Sequence, residues 1–320
     1  MSKSSTTECG EIGGGDDDKK MSTSYEQKSK IGGGKGSSSD IDTGSSGKVA
    51  SDNIDLLSKK LSDNSIGSMT ISDDELFKDP PPKEDCQICF LPMPFTSGVC
   101  GINPIYNTCC GKILCSGCLL TSIEEMKRGN LKTRCPYCRV LTPDSSKEEE
   151  VSRCEKRMKL NDAVAFHTMG KKYENGHWRL SKDLNKALEL HNQAAELGHP
   201  DAHFSMGIAY HGGYGIEKDM SKAVHHYKLA SIGGHERARH MLGCLDLSTG
   251  NIDCIKHFII AAKSGYEESM KKVEEVYKAG LVEKDEYAST LSAYQVSVDE
   301  MESDQRSKAM KWQPPKNLTL

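Results

Sequence analysis

Ala202-x4-Gly207-x2-Tyr210-x2-Gly213-x-Gly215-Ile216-x2-Asp219-x2-Lys222-Ala223-x3-Tyr227-x2-Ala230 is one unit of a sequence that copies itself. Ala202 and Ala238, Gly207 and Gly243, Ala187 and Ala223, and Gly198 and Gly234 are each 36 residues apart. An earlier copy runs through Gly170, Tyr173, Gly176, Asp183, Lys186, Ala187, Ala194 and Ala195, with one extra residue between Gly176 and Asp183. A third copy, Gly243 through Ala261 and Ala262 to Gly265, is about five residues shorter in its loop. A period of this length predicts stacked supersecondary units, none of which buries its apolar face alone. Ala223, Tyr227 and Ala230 fall at i, i+4 and i+7 on one helical face. Small residues at matching positions let neighbouring helices approach closely.

These units resemble Sel-one-like repeats, relatives of tetratricopeptide repeats, in which an antiparallel helix pair stacks on the next pair. The resemblance implies a mainly α fold, an α-solenoid spanning residues 161–268 that offers a surface to a protein partner. Asp183 and Asp219 suit the N-caps of second helices, and Gly198 and Gly233-Gly234 suit their C-terminal stops. Gly213-Tyr214-Gly215 then reads as an interhelical turn, since a phosphate loop needs a different glycine spacing. All eleven histidines lie in or beside the repeats, without recurring Cys or carboxylate partners at ligand spacing, and read as packing or solvated side chains.

Nine of the thirteen cysteines fall between Cys86 and Cys138. They run Cys86-x2-Cys89, Cys100, Cys109-Cys110, Cys115-x2-Cys118 and Cys135-Pro136-Tyr137-Cys138. Without an export signal this is a metal-binding pattern rather than a disulfide framework. Two CxxC loops close one tetrahedral four-sulfur site with no open coordination position, so the series implies two structural zinc ions. Cys9, Cys154, Cys244 and Cys254 are scattered and read as inert thiols.

The segment resembles a RING finger, whose cross-brace puts the first and third ligand pairs on one metal and the second and fourth on the other. On that resemblance Cys86, Cys89, Cys115 and Cys118 hold the first Zn2+, and Cys135 and Cys138 take part in the second. Lys112 stands where many RINGs carry histidine, and no histidine occurs from Cys86 to Cys138. The second site is therefore completed by the adjacent Cys109 and Cys110, preferred because second-pair ligands of RING fingers sit one to three residues apart, with Cys100 and one of those two as the alternative. The resemblance also implies recruitment of a ubiquitin-conjugating enzyme and its ubiquitin through Ile88, Pro136 and Arg139, with Leu119 to Met126 as the central helix. Such a module has no nucleophile and acts by positioning.

Residues 1–82 carry runs such as Gly13-Gly14-Gly15-Asp16 and Ser37-Ser38-Ser39, too poor in apolar side chains to offset the entropy of ordering, and read as disordered. The RING-type finger is placed at 83–142 and a charged helical linker at 143–160, holding the finger at a fixed distance from the repeats. Capping helices and a tail are expected at 269–320. Lys156-Arg157-Met158-Lys159 is read as a solvated helix face. A net charge of -4 gives no general attraction to nucleic acid, and the longest apolar run, Phe258 to Ala262, is too short for a bilayer. The expectation is an intracellular ubiquitin ligase or ligase subunit that selects substrate or adaptor through its repeats, with a non-enzymatic zinc scaffold as the rival reading.

Overall fold

In a computed structural model of the chain, residues 71–93, 104–141 and 147–311 are described. The expectations for residues 1–70, for Cys9 and for Cys100 lie outside them, whereas residues 71–82, expected to belong to the disordered stretch 1–82, include a helical turn whose Leu76 is buried. The chain passes through one helical turn, α1 (Asp73–Leu76), and then an antiparallel hairpin of β1 (Pro104–Asn107) and β2 (Lys112–Cys115), with Pro104 opposite Cys115 and Asn107 opposite Lys112. Helix α2 (Ser116–Arg128) completes the cysteine-rich segment. Then come α3 (Lys147–Met158), α4 (Ala163–Asn175), α5 (Leu184–Glu196), α6 (Pro200–Gly212), α7 (Met220–Ile232), α8 (Glu236–Thr249), α9 (Cys254–Lys263), α10 (Glu267–Lys278), α11 (Lys284–Met301) and α12 (Asp304–Lys311). The result is a mainly helical stack in which α4 and α5, α6 and α7, and α8 and α9 are successive antiparallel pairs.

One small-to-large pairing recurs in each repeat and sets how closely its two helices approach. A Cβ added to Gly170 would come within 2.6 Å of the His191 ring, one at Gly207 within 2.5 Å of Tyr227, and one at Gly243 within 2.6 Å of Phe258. The glycine of each first helix is thus the slot into which an aromatic ring of the second helix fits. Around these slots Ala187, Ala194, Ala202, Ala223, Ala230, Ala238 and Ala262 are buried, which leaves room for close backbone packing.

Local chemistry ends the helices where the repeat pattern places the ends. The Asp183 carboxylate accepts from the Lys186 N–H and that of Asp219 from the Lys222 N–H, each at 3.0 Å. Gly198 and Gly234 take φ of 81° and 93° just after α5 and α7, a conformation costly for any residue with a Cβ. Gly213 and Gly215 likewise have φ of 72° and 70° in the α6–α7 turn.

Most repeat histidines pack against neighbours in half-buried or buried positions. His226 stacks on Tyr210 and its Nδ1 lies 3.1 Å from Nδ1 of His203. Burial pushes the imidazoles of His199, His203 and His240 down to about 4 and those of His226, His235 and His257 to about 3.

Two measurements check this packing. Gly207→Val overfills the slot occupied by Tyr227 and is expected to destabilise the fold by about 1–3 kcal/mol, read as a lower urea midpoint at unchanged helical content. The histidines give a pH dependence of defined sign. Below their ordinary value near 6.5 the unfolded chain binds protons that the folded chain refuses until about pH 4, so stability falls as pH drops through that window. Each contributes up to roughly 1 kcal/mol of loss by pH 5.5. His226→Phe is expected to flatten the decline between pH 6.5 and 5 relative to wild type, a comparison in which contributions common to both chains cancel.

Candidate metal centre

Two sequence-distant CxxC loops have the same backbone geometry. In the first, the Phe90 N–H donates to the Cys86 carbonyl at 2.9 Å, and the Cys86 N–H donates to Leu91 at 3.0 Å. In the second, the Arg139 N–H donates to Cys135 at 3.0 Å, and the Cys135 N–H to Val140 at 2.8 Å. Asp85 bridges Pro92 just as Arg134 bridges Leu141. Phe90 and Arg139, each directly after its loop's second cysteine, take φ of 56° and 63°. That left-handed step folds the chain back, so that both sulfurs of a loop face one point.

Each loop is completed by a different partner pair. The sulfurs of Cys86, Cys89, Cys115 and Cys118 lie within 4.8 Å of one another, as do those of Cys109, Cys110, Cys135 and Cys138. The hairpin and α2 produce this interleaving: β2 delivers Cys115 and the first turn of α2 delivers Cys118, while Cys109 and Cys110 sit in the β1–β2 turn. Gly111, at φ 72°, closes that turn under the Arg157 guanidinium, which leaves no space for a Cβ. The alternative that uses Cys100 lies outside the described residues.

The distances fit a metal and not disulfides. Cys89 and Cys115 sulfurs are 3.9 Å apart, Cys110 and Cys135 3.9 Å, and Cys109 and Cys138 3.5 Å. A tetrahedron with metal–sulfur bonds of about 2.3 Å has edges of about 3.8 Å, whereas a disulfide needs about 2.05 Å. The charge balance points the same way. Burial pushes the Cys118 thiol up to about 12 and that of Cys110 to about 11 and raises that of Cys109, while a hydrogen bond from Cys115 holds Cys86 down to about 4. Four thiolates in such surroundings need a cation to offset them. Both groups can therefore hold a metal ion, and each has the all-sulfur donor set of a closed structural site.

The module is packed directly against the helical stack, not held away from it. Helix α3 forms where charged residues predict it, with Arg153 and Glu149 paired at 2.6 Å, but it is no spacer. Arg157 reaches Asp162 at 2.8 Å, and the same carboxylate accepts from the Tyr106 hydroxyl of β1 at 2.7 Å. The basic run is thus not simply a solvated face. Thr108 donates to Glu150 of α3 at 2.6 Å. At the other end of the stack, Met301 is fully buried among Cys86, Met93, Leu114, Cys115 and Cys118. Lys83 donates to the Ser264 carbonyl at 2.7 Å and to the Ser297 hydroxyl at 2.8 Å.

Helix α12, expected only as part of a polar end cap, lies against α2. Its Arg306 is 1% exposed. The guanidinium donates to the carbonyls of Pro92 at 2.7 Å, Met301 at 2.6 Å and Leu91 at 3.0 Å, with Nη2 3.7 Å from the Cys89 sulfur. No local signal in the sequence marks Arg306 or Met301 as neighbours of cysteines some 200 residues earlier.

The three residues expected to meet a conjugating enzyme are placed differently. Ile88 is 38% exposed on the first loop, and Arg139 is exposed after the second. Pro136 is buried, so it shapes its loop instead of presenting an apolar surface. Next to it Tyr137 is 45% exposed, with the Lys112 ammonium 5.7 Å from its ring centre, and supplies the exposed apolar group that Pro136 does not.

Comparison with known proteins bears on the repeats. The Sel1 repeat family model matches residues 169–199 and 200–235, so the chain contains Sel1 repeats. The cysteine-rich segment lies outside the matched residues. An uncharacterized protein of Neisseria meningitidis serogroup B is 29% identical over 98 residues, 31% of this chain and 21% of that protein. Chitin synthase regulatory factor 3 of Schizosaccharomyces pombe is 34% identical over 67 residues, 21% of this chain and 7% of the relative. This chain therefore spans about a fifth or less of the length of these curated relatives. Among solved structures, a Sel1 repeat protein from Oxalobacter formigenes aligns with a TM-score of 0.42 and 24% identity, covering 47% of this chain and 64% of that one. A protective antigen of uropathogenic Escherichia coli displaying an SLR fold aligns with a TM-score of 0.40 and 26% identity, covering 47% and 33%. Among the described residues, no helix is long and apolar enough to cross a membrane.

Elemental analysis of the purified full chain is expected to give two bound zinc ions. Removal by a chelator should leave the freed thiolates to take up protons and should lower the melting temperature, because the small core around the cysteines cannot hold the loops unaided. Cys100→Ser is expected to leave both ions in place, whereas Cys109→Ser should lose one.

Proposed function

We propose that the chain is a RING-type ubiquitin ligase or ligase subunit, with two structural zinc ions in the cysteine groups and a protein partner carried on its repeats. The observation that carries the reading is the interleaving of the groups: first pair with third, second pair with fourth, in the order of a RING cross-brace. Zinc supplies folding energy here and no chemistry, since four thiolates close each site. The conjugating enzyme is met by the chain's own exposed side chains. Ile88 offers the apolar anchor, Tyr137 extends it, and the Arg139 guanidinium projects from a rigid left-handed turn where it can bridge enzyme and ubiquitin with forked hydrogen bonds. The Sel1 repeats support the partner-binding half of the proposal, because stacked helix pairs present an extended surface.

A second reading is favoured by one observation. The zinc module is wedged between the start of the stack, at Asp162, and its end, at Met301 and Arg306. A module used only to brace a scaffold would be packed in this way and would need no conjugating enzyme.

Discharge of ubiquitin from a panel of conjugating enzymes, measured on the full chain, separates the two. Stimulation is expected, with Ile88→Ala weakening recruitment by about tenfold, since it removes an apolar anchor from the middle of a small interface. Arg139→Ala should leave recruitment nearly intact and slow discharge, because its contacts act on the reactive pose of the thioester. Zinc content must be unchanged in both variants. Absence of stimulation across the panel, or full activity in both variants, establishes the scaffold reading.

A further inference from the structure

Ahead of the zinc module, Ser72 to Phe77 lies on the repeats as a short docked peptide. Ser72 caps α1 by accepting from the Glu75 N–H at 3.3 Å, so the segment is a self-starting helical turn with three acidic residues, Asp73, Asp74 and Glu75, facing solvent. Leu76 is 3% exposed. The turn packs on α7, and Phe77 lies against α9, its ring centre 4.8 Å from that of His257 with the Lys256 ammonium 5.0 Å over it. Between these helices α8 contributes Arg239, which is 2% exposed and donates to the Leu76 carbonyl at 2.7 Å and to the Ser231 carbonyl at 2.9 Å.

Arg239 gives the site its direction. A guanidinium taken out of water needs acceptors for its donors. In this groove the repeats supply one carbonyl and the docked segment the other. The groove thus contains a built-in reader of peptide backbone, a seat that buries Leu76 and an aromatic seat for Phe77. Arg239 lines it with positive charge that meets Asp79, and Lys256, paired with Asp253 at 2.9 Å, also attracts Asp73 of the acidic turn. Pro80-Pro81-Pro82 then joins the segment to the zinc module, whose hold on the repeats at Lys83 is independent of α1.

We propose that the surface formed by α7, α8 and α9 is a peptide-binding groove, occupied in cis by Ser72–Phe77. Its partner in trans is a protein presenting an acidic helical turn that ends in Leu-Phe. The proposal rests on the reading that the repeats are the partner surface, and it names the chemistry of that partner. The cis segment competes with it, so binding requires the segment to be displaced.

The test uses a fluorescent peptide of residues 71–79 and fluorescence polarisation. The chain starting at Pro80 is expected to bind it saturably, and the full chain at least tenfold more weakly. Leu76→Ala with Phe77→Ala placed in the full chain opens the groove without truncation and should restore binding of the unmodified peptide. The same two changes placed in the peptide, or Arg239→Gln in the opened chain, should reduce binding at least tenfold. No saturable binding to either opened chain, at unchanged helical content, overturns the proposal, as does equal affinity for opened and full chains. Concentration-dependent dimerisation of the full chain that is abolished by Leu76→Ala also overturns it, by making a second copy the occupant. Deleting residues 161–280 and assaying partner capture tests the repeat reading separately, so a failed groove and a failed repeat surface give different results.

Discussion

A buried guanidinium beside a group of thiols ties the two halves of this molecule together. Arg306 carries its charge into the apolar surroundings of the first cysteine group, where its two terminal nitrogens donate to the Leu91, Pro92 and Met301 carbonyls. Without acceptors such a group is costly to bury, so the loop that follows Cys89 and the end of α11 are held in a fixed relation. Met301 fills the space between them, and a Cβ on Gly117 would strike the backbone of Arg306 at 2.8 Å. Helix α12 therefore approaches α2 as closely as backbones allow.

On the opposite side of the module the link is a hydroxyl and a carboxylate. Asp162 caps α4 through the Val164 and Ala165 N–H groups while accepting from Tyr106 and Arg157. One side chain thus starts the first repeat, fixes α3 and holds β1. The cysteine module is a wedge between the first and last helices of the stack, and each of its two four-sulfur groups is supported from one side. A small cysteine-rich module gains by this arrangement, since about fifty residues bury too little apolar surface to be rigid alone.

The repeats show how little sequence a helical pair requires. A glycine on one helix, a ring on the next, alanines around both, an Asp before the second helix and a glycine after it specify the approach, the axis and the ends of each unit. The ring changes from His191 to Tyr227 to Phe258 while the glycine opposite it stays, because the slot demands a missing Cβ and tolerates several planar side chains.

These features divide cleanly between the chain and its fold. The period of 36, the caps at Asp183 and Asp219, and the CxxC loops were legible because each depends on residues close in sequence, whose spacing follows from helix and loop geometry. The adjacent pair Cys109 and Cys110 could be preferred for the same reason. By contrast, the burial of Pro136, the bridging role of Arg157, the docking of α12 through Arg306 and the seat of Leu76 and Phe77 on the repeats were invisible, as was the direct contact of the α3 linker helix with Thr108. Each of these depends on which surfaces meet after the helices stack. An arginine that ends in bulk water and one that ends among buried carbonyls carry the same local pattern, and only the tertiary packing decides which of them is desolvated.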